Sequence, residues 1–105
     1  MAEIDALVMK NVQLFLDKLQ RSGITISQAY IFGSYAKGKA TKWSDIDIAI
    51  VSPQITEDRF EERVKLTKIA ISVDDRLEPL PFTPDTFSDD DPFVLKIKKE
   101  GLAIH

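Results

Sequence analysis

Apolar residues recur at helical spacing through the first 22 positions of the chain. Ile4, Leu7, Val8, Val12, Phe15, Leu16 and Leu19 share one side of a 3.6-residue period. The pattern predicts an amphipathic helix over residues 2–22, closed by Ser22-Gly23. It then changes character. Residues 27–33, SQAYIFG, are rich in aromatic and β-branched types and predict a strand. After a Gly-Ser turn, YAKGKA has weak helical character. Residues 46–51, IDIAIV, predict a strong strand that Ser52-Pro53 ends. A second amphipathic helix is expected over 56–72, with Thr56 as N-cap and Glu57 and Asp58 in its first turn. Its inner stripe would be Phe60, Val64, Thr67, Ala70 and Ile71. Residues 75–82 predict a third strand, which Pro79 and Pro81 push to an edge or a bulge. Thr83-Pro84 opens a turn of helix around Asp85–Phe87. A last helix follows Asp91, with Pro92 in its first position, and ends at Gly101. The order is α-β-α-β-α-β-α, an α/β (α+β) fold with a small sheet and helices packed mainly on one face. Phe32, Phe60, Phe82 and Phe87 are expected in its core.

Composition narrows the chemistry. The 105 residues, 44% of them apolar, fit a single domain spanning 1–105 with one modest core. With no cysteine and one histidine, His105 at the end of the chain, a metal site would have to be built from carboxylates. Carboxylates favour a hard cation such as Mg²⁺ or Mn²⁺. A net charge of −3 argues against a general nucleic-acid-binding protein, because phosphate neutralisation needs excess Lys and Arg. No apolar run approaches the roughly 18 residues of a membrane span. The first residues, MAEIDALVMK, lack the basic start of a signal peptide. A cytoplasmic location is therefore expected.

The informative segment is Gly33-Ser34, ten residues, then Asp45-Ile46-Asp47. Glycine at a strand end lets the backbone approach a ligand closely. Ser34 would then offer a hydroxyl and an N–H at a helix start, where an anion binds readily. Lys37, Lys39 and Lys42 add positive charge beside the turn. Asp45 and Asp47 alternate along a strand, so both carboxylates point to one face, about 6.6 Å apart. Two acids side by side are costly to bury without a cation, and such a pair can hold one or two Mg²⁺ ions against a triphosphate. Glu78 is the choice for a third carboxylate and for the base that deprotonates an acceptor hydroxyl. Asp74 and Asp75 are its rivals, expected to be solvated at a helix-to-strand junction.

The stretch IFGSYAKGKATKWSDIDIAIV, with its Gly33-Ser34 and Asp45-x-Asp47, resembles minimal nucleotidyltransferase (MNT) domains of the DNA polymerase beta-like superfamily. RLEPLPFTPDTF resembles the family's third core strand and KIKKEGLAIH its usual tail. The resemblance implies a mixed sheet carrying the Gly-Ser loop and three acids. Gly33 and Ser34 would bind phosphate. Asp45 and Asp47, with Glu78 as third ligand, would hold two Mg²⁺ ions and act catalytically on ATP. It also implies a context. Stand-alone MNT proteins resemble the antitoxin half of HEPN/MNT toxin–antitoxin pairs, in which AMP passes from ATP to a tyrosine of a HEPN ribonuclease. A HEPN-like toxin is thus the expected acceptor and hetero-oligomeric partner. Alternatives are a silent nucleotide-binding module that neutralises its partner by binding, or transfer to a small molecule or an RNA end.

The remaining signals have plainer readings. Of the three lysines, Lys42 is taken as a nucleotide-binding candidate, although a solvated loop explains all three. Asp89-Asp90-Asp91 suits helix capping before Pro92, with Ser88 or Asp91 as the cap. Trp43 could stack on a base or simply pack half-exposed. Tyr35, next to the turn, could carry a modification. His105 is expected to be a frayed terminus.

Overall fold

The computed structural model describes residues 4–105. Positions 2 and 3 of the first expected helix lie outside the described residues. Helix α1 runs Ala6–Arg21, and the Asp5 carboxylate caps it by accepting hydrogen bonds from the N–H groups of Leu7 and Val8. Strand β1 is Gln28–Phe32 and β2 is Ile46–Val51. Helix α2 is Arg59–Ile71, β3 is Leu77–Phe82, α3 is Pro92–Glu100 and β4 is Leu102–Ala103.

The four strands form one mixed sheet in the order β3-β2-β1-β4. β1 pairs antiparallel with β2 and with β4, while β2 and β3 run parallel. A parallel pair needs a crossover, which α2 provides. β3 is an edge strand, as its two prolines require: a proline has no N–H for a second neighbour.

Helices cover both faces, two on one and one on the other. On the first face, Val12, Phe15, Leu16 and Leu19 of α1 and Leu66 and Ala70 of α2 pack on Ile31, Ile46, Ile48 and Ile50. On the second, Val94 and Ile97 of α3 join Phe87 against Ala49, Val51 and Phe82, with Tyr30, Phe32 and Leu80 alongside. β2 is central and covered on both sides. That is why IDIAIV is apolar almost without interruption, and why its one acid is conspicuous.

Five expectations need correction. YAKGKA forms turns and not a helix, so the order is α-β-β-α-β-α-β. The cap of α2 is Asp58, whose carboxylate accepts from the Glu61 N–H, and not Thr56; Glu57 and Asp58 precede the first turn. Most of the apolar residues of the expected α2 stripe are turned to solvent: Phe60 is 80%, Val64 38% and Ile71 55% exposed, while Ala70 of that stripe is buried as expected, together with Leu66 from outside it. Leu7, at 62% exposure, likewise leaves the α1 stripe. The tail is not frayed. β4 pairs Tyr30 with Ala103 and Ile31 with Leu102, and the Ala29 N–H donates to the His105 carbonyl at 3.2 Å.

Among the described residues no helix is long and apolar enough to cross a membrane.

Candidate active site

Alternation along β2 sends Ile46 and Ile48 into the core beneath α1 and α2. Asp47 therefore points to the face that α3 covers further along the strand, with Ala49 and Val51. Register does the rest. Asp47 stands opposite Phe32 on β1 and opposite Glu78 on β3, so Phe32, Asp47 and Glu78 form one row across three strands. Asp45, exposed, lies two residues earlier, at the mouth of β2.

Gly33 follows Phe32 directly, with φ 72° in the left-handed region where glycine is favoured. A Cβ at this position would run into the Asp47 carboxylate. Glycine thus does two things: it allows the turn, and it leaves the space that the acid occupies. The turn is closed by the Lys37 N–H donating to the Gly33 carbonyl at 3.1 Å and the Lys39 N–H to the Ser34 carbonyl at 3.0 Å. Ser34 is exposed on it. Because no helix follows, any anion here would be met by turn N–H groups and not by a helix terminus.

Burial pushes the Asp47 carboxyl above its usual range; the charges of Asp45 and Glu78 push the same way, and Arg63 opposes them. Asp45 and Glu78 are thus close enough to be felt at Asp47. Glu78 is held in an ion pair with Arg63 of α2, at 3.5 Å, with both side chains about half exposed. Among the described residues no three carboxylate or imidazole groups converge into a ready-made metal cage.

Arg63 escaped the sequence reading. Nothing in the chain distinguishes it from Arg59 or Lys68 on the same helix; only the packing of α2 along the edge strand brings it to Glu78.

Behind the turn, Tyr35 is buried in the core, and its hydroxyl accepts from Arg76 at 3.1 Å. Arg76 also donates to Asp74 at 2.8 Å, and Asn11 of α1 donates to the same carboxylate at 3.0 Å. Asp74, expected to be solvated, has a side chain only 8% exposed. Arg76 holds its carboxyl down at about 2. The Gly-Ser turn is thereby tied to α1 and to the start of β3. Glu78 pairs with Arg63, and the Arg76 guanidinium is committed to Asp74.

Lys42 turns toward Trp43. It lies 4.9 Å over the Trp43 ring, and that ring is 81% exposed. Lys42 lines a cleft toward α1 with Tyr35 and Arg76. A different cleft, of about 210 Å³, opens between Gly33 and α3 and is lined by Phe32, Gly33, Ala36, Phe93 and Ile97. Lys37, Lys96 and Glu100 supply its charged, exposed part. Asp91 caps α3 as expected, accepting from the Phe93 N–H at 2.9 Å, and Asp89 pairs with Lys98 at 2.6 Å.

A mixed sheet bearing an acid row behind a tight Gly-Ser turn defines a nucleotidyl-transferring α+β domain. The chain belongs to the nucleotidyltransferase domain family, which it matches over residues 12–100. That span contains Gly33, Ser34, Asp45, Asp47 and Glu78. In fold it is similar to a Sulfolobus solfataricus protein assigned provisionally as a nucleotidyltransferase. The TM-score is 0.64, with 19% identity over 98% of this chain and 89% of that one. No curated protein matches the chain.

Proposed function

We propose that this chain is a Mg²⁺-dependent nucleotidyltransferase that moves AMP from ATP to a hydroxyl of a partner protein. One observation carries the reading: Gly33 has no side chain at the place where the Asp47 carboxylate sits, so phosphate turn and acid row are in contact.

The donor set suits a hard cation. All its atoms are carboxylate oxygens, and the mutual repulsion felt at Asp47 is what a divalent charge relieves. Asp45 and Asp47 would hold the cation, with Glu78 as third ligand after leaving Arg63. An ion pair this exposed contributes only about 0–1 kcal/mol, so the exchange is cheap. When bound, Mg²⁺ neutralises phosphate charge and aligns the leaving pyrophosphate. The chain's own residues do the remainder. The turn N–H groups at Gly33 and Ser34 hold the β- and γ-phosphates. The acceptor oxygen bonds to the α-phosphorus while the bond from phosphorus to the α–β bridging oxygen breaks. The acceptor's proton passes to Glu78, and pyrophosphate departs.

A protein acceptor is supported by α2. Phe60, Val64 and Ile71 form an exposed apolar stripe on the helix whose Arg63 touches Glu78. A partner docked there would stand beside the acids. The MNT resemblance suggests that this partner is a HEPN-like toxin and the chain its antitoxin.

The test is to incubate the chain and a candidate HEPN-like partner with α-labelled ATP and Mg²⁺. Label should appear on the partner and vanish with Asp45→Asn. If Asp45→Asn still neutralises the partner in full, the chain acts by binding and the transfer reading is wrong.

A further inference from the structure

Gly33 belongs to two neighbourhoods at once. One side of it faces the Asp47 carboxylate; the other lines the cleft beneath α3. A ligand whose phosphates lie on the turn has this cleft within reach of its other end. At about 210 Å³ the cleft is smaller than the roughly 300–1,000 Å³ of a pocket for a whole drug-sized ligand. It has room for one end of a nucleotide and not all of it.

Its walls define which end. Phe32 and Phe93 stand edge to face with ring centroids 5.8 Å apart, and Ala36 and Ile97 complete an apolar lining. Phe93 is 45% exposed, an aromatic ring left partly uncovered beside the cleft. The only charged groups of the lining are Lys37, Lys96 and Glu100, and the last two face each other at 4.0 Å. A planar base offers what such walls accept: a broad π-face, with its polar edge left to water.

We infer that this cleft holds the base of the donor nucleotide, stacked on Phe93, and that it reads the face of the base and not its edge. The inference rests on the nucleotidyltransfer reading and adds a specificity to it. Purine triphosphates bind as a class, adenine and guanine alike, and pyrimidines bind less well because they cover less of the ring.

The experiment is calorimetric binding to the intact chain in Mg²⁺, with ATP, GTP, CTP and inorganic tripolyphosphate as probes. ATP and GTP are expected within about threefold of each other, with CTP about fivefold weaker. Phe93→Ala and Phe93→Leu should weaken ATP about tenfold, while Phe93→Tyr stays near wild type. Tripolyphosphate should be unaffected by all three. Rescue by tyrosine but not by leucine separates stacking from simple space filling. Wild-type affinity for ATP in Phe93→Ala would overturn the assignment, as would discrimination of more than about tenfold between ATP and GTP. A chain that binds ATP no better than tripolyphosphate loses the base cleft but keeps its phosphate site. A chain that binds neither loses the nucleotidyltransfer reading itself.

Discussion

Replacing Gly33 by alanine separates two physical effects, because a second glycine supplies the control. Gly33 has φ 72° and Gly23 has φ 90°, so both sit where an L-residue is strained by about 1–2 kcal/mol. They differ in what an added Cβ meets. At Gly23 nothing lies within 4 Å; at Gly33 the Asp47 carboxylate is in the way. Gly23→Ala should therefore show the backbone cost alone. Gly33→Ala should show that cost plus the displacement of Asp47 from its rotamer, a further 0.5–1.5 kcal/mol or so. The sum, about 1.5–3.5 kcal/mol, lowers the melting temperature of a domain this size by on the order of 10 °C. The excess over Gly23→Ala should disappear when Asp47→Ala is added, which makes it a coupling energy measurable in a double-mutant cycle. Thermal denaturation of the four variants and the wild type is the assay. If Gly33→Ala and Gly23→Ala cost the same, or if the excess survives Asp47→Ala, then Gly33 is not shaped around the acid. Turn and carboxylate would then not form one site.

Asp47→Asn should stabilise the metal-free chain at neutral pH. The folded state raises this carboxyl, so its penalty is absent below the ordinary value of 3.8 and is fully present once pH exceeds the raised value. Melting curves at pH 3 and pH 7 check this, and an Asn variant less stable at pH 7 refutes it. Asp74→Asn should do the opposite. Arg76 lowers that carboxyl from 3.8 to about 2, which contributes about 2 kcal/mol above pH 4 and is lost as pH falls through 2. Denaturant titrations of wild type and variant should converge near pH 2. Phe60→Ser should leave stability within about 0.5 kcal/mol, because the ring is 80% exposed, yet weaken capture of a protein acceptor. Phe15→Ala, at a fully buried position, should cost about 3–5 kcal/mol.

The parts of this fold legible in the sequence are those fixed by local rules. The period of α1 and the apolar run of β2 act within a few residues and predicted their elements, and the proline pair of β3 predicted its edge position. Gly33 and Asp47 were legible for the same reason, as a strand end and a strand position. What escaped depends on contacts between distant segments. Helical spacing alone groups Phe60, Val64, Thr67, Ala70 and Ile71 of α2 into one expected core stripe. Spacing says which residues share a side; it does not say which side meets the sheet. The sheet is met by Leu66 and, of that stripe, by Ala70, while Phe60, Val64 and Ile71 are left outward beside Arg63. The two misses therefore have one cause. Once α2 is rotated to bury Leu66, Arg63 reaches Glu78 at the sheet edge and Phe60 faces solvent. A helix that leaves Phe60, Val64 and Ile71 uncovered bears an exposed apolar patch of the kind that marks interaction surfaces. In this chain that patch borders the acid row. The same rotation that misled the pattern thus sets an apolar surface next to the acid row, where the proposed protein acceptor would dock.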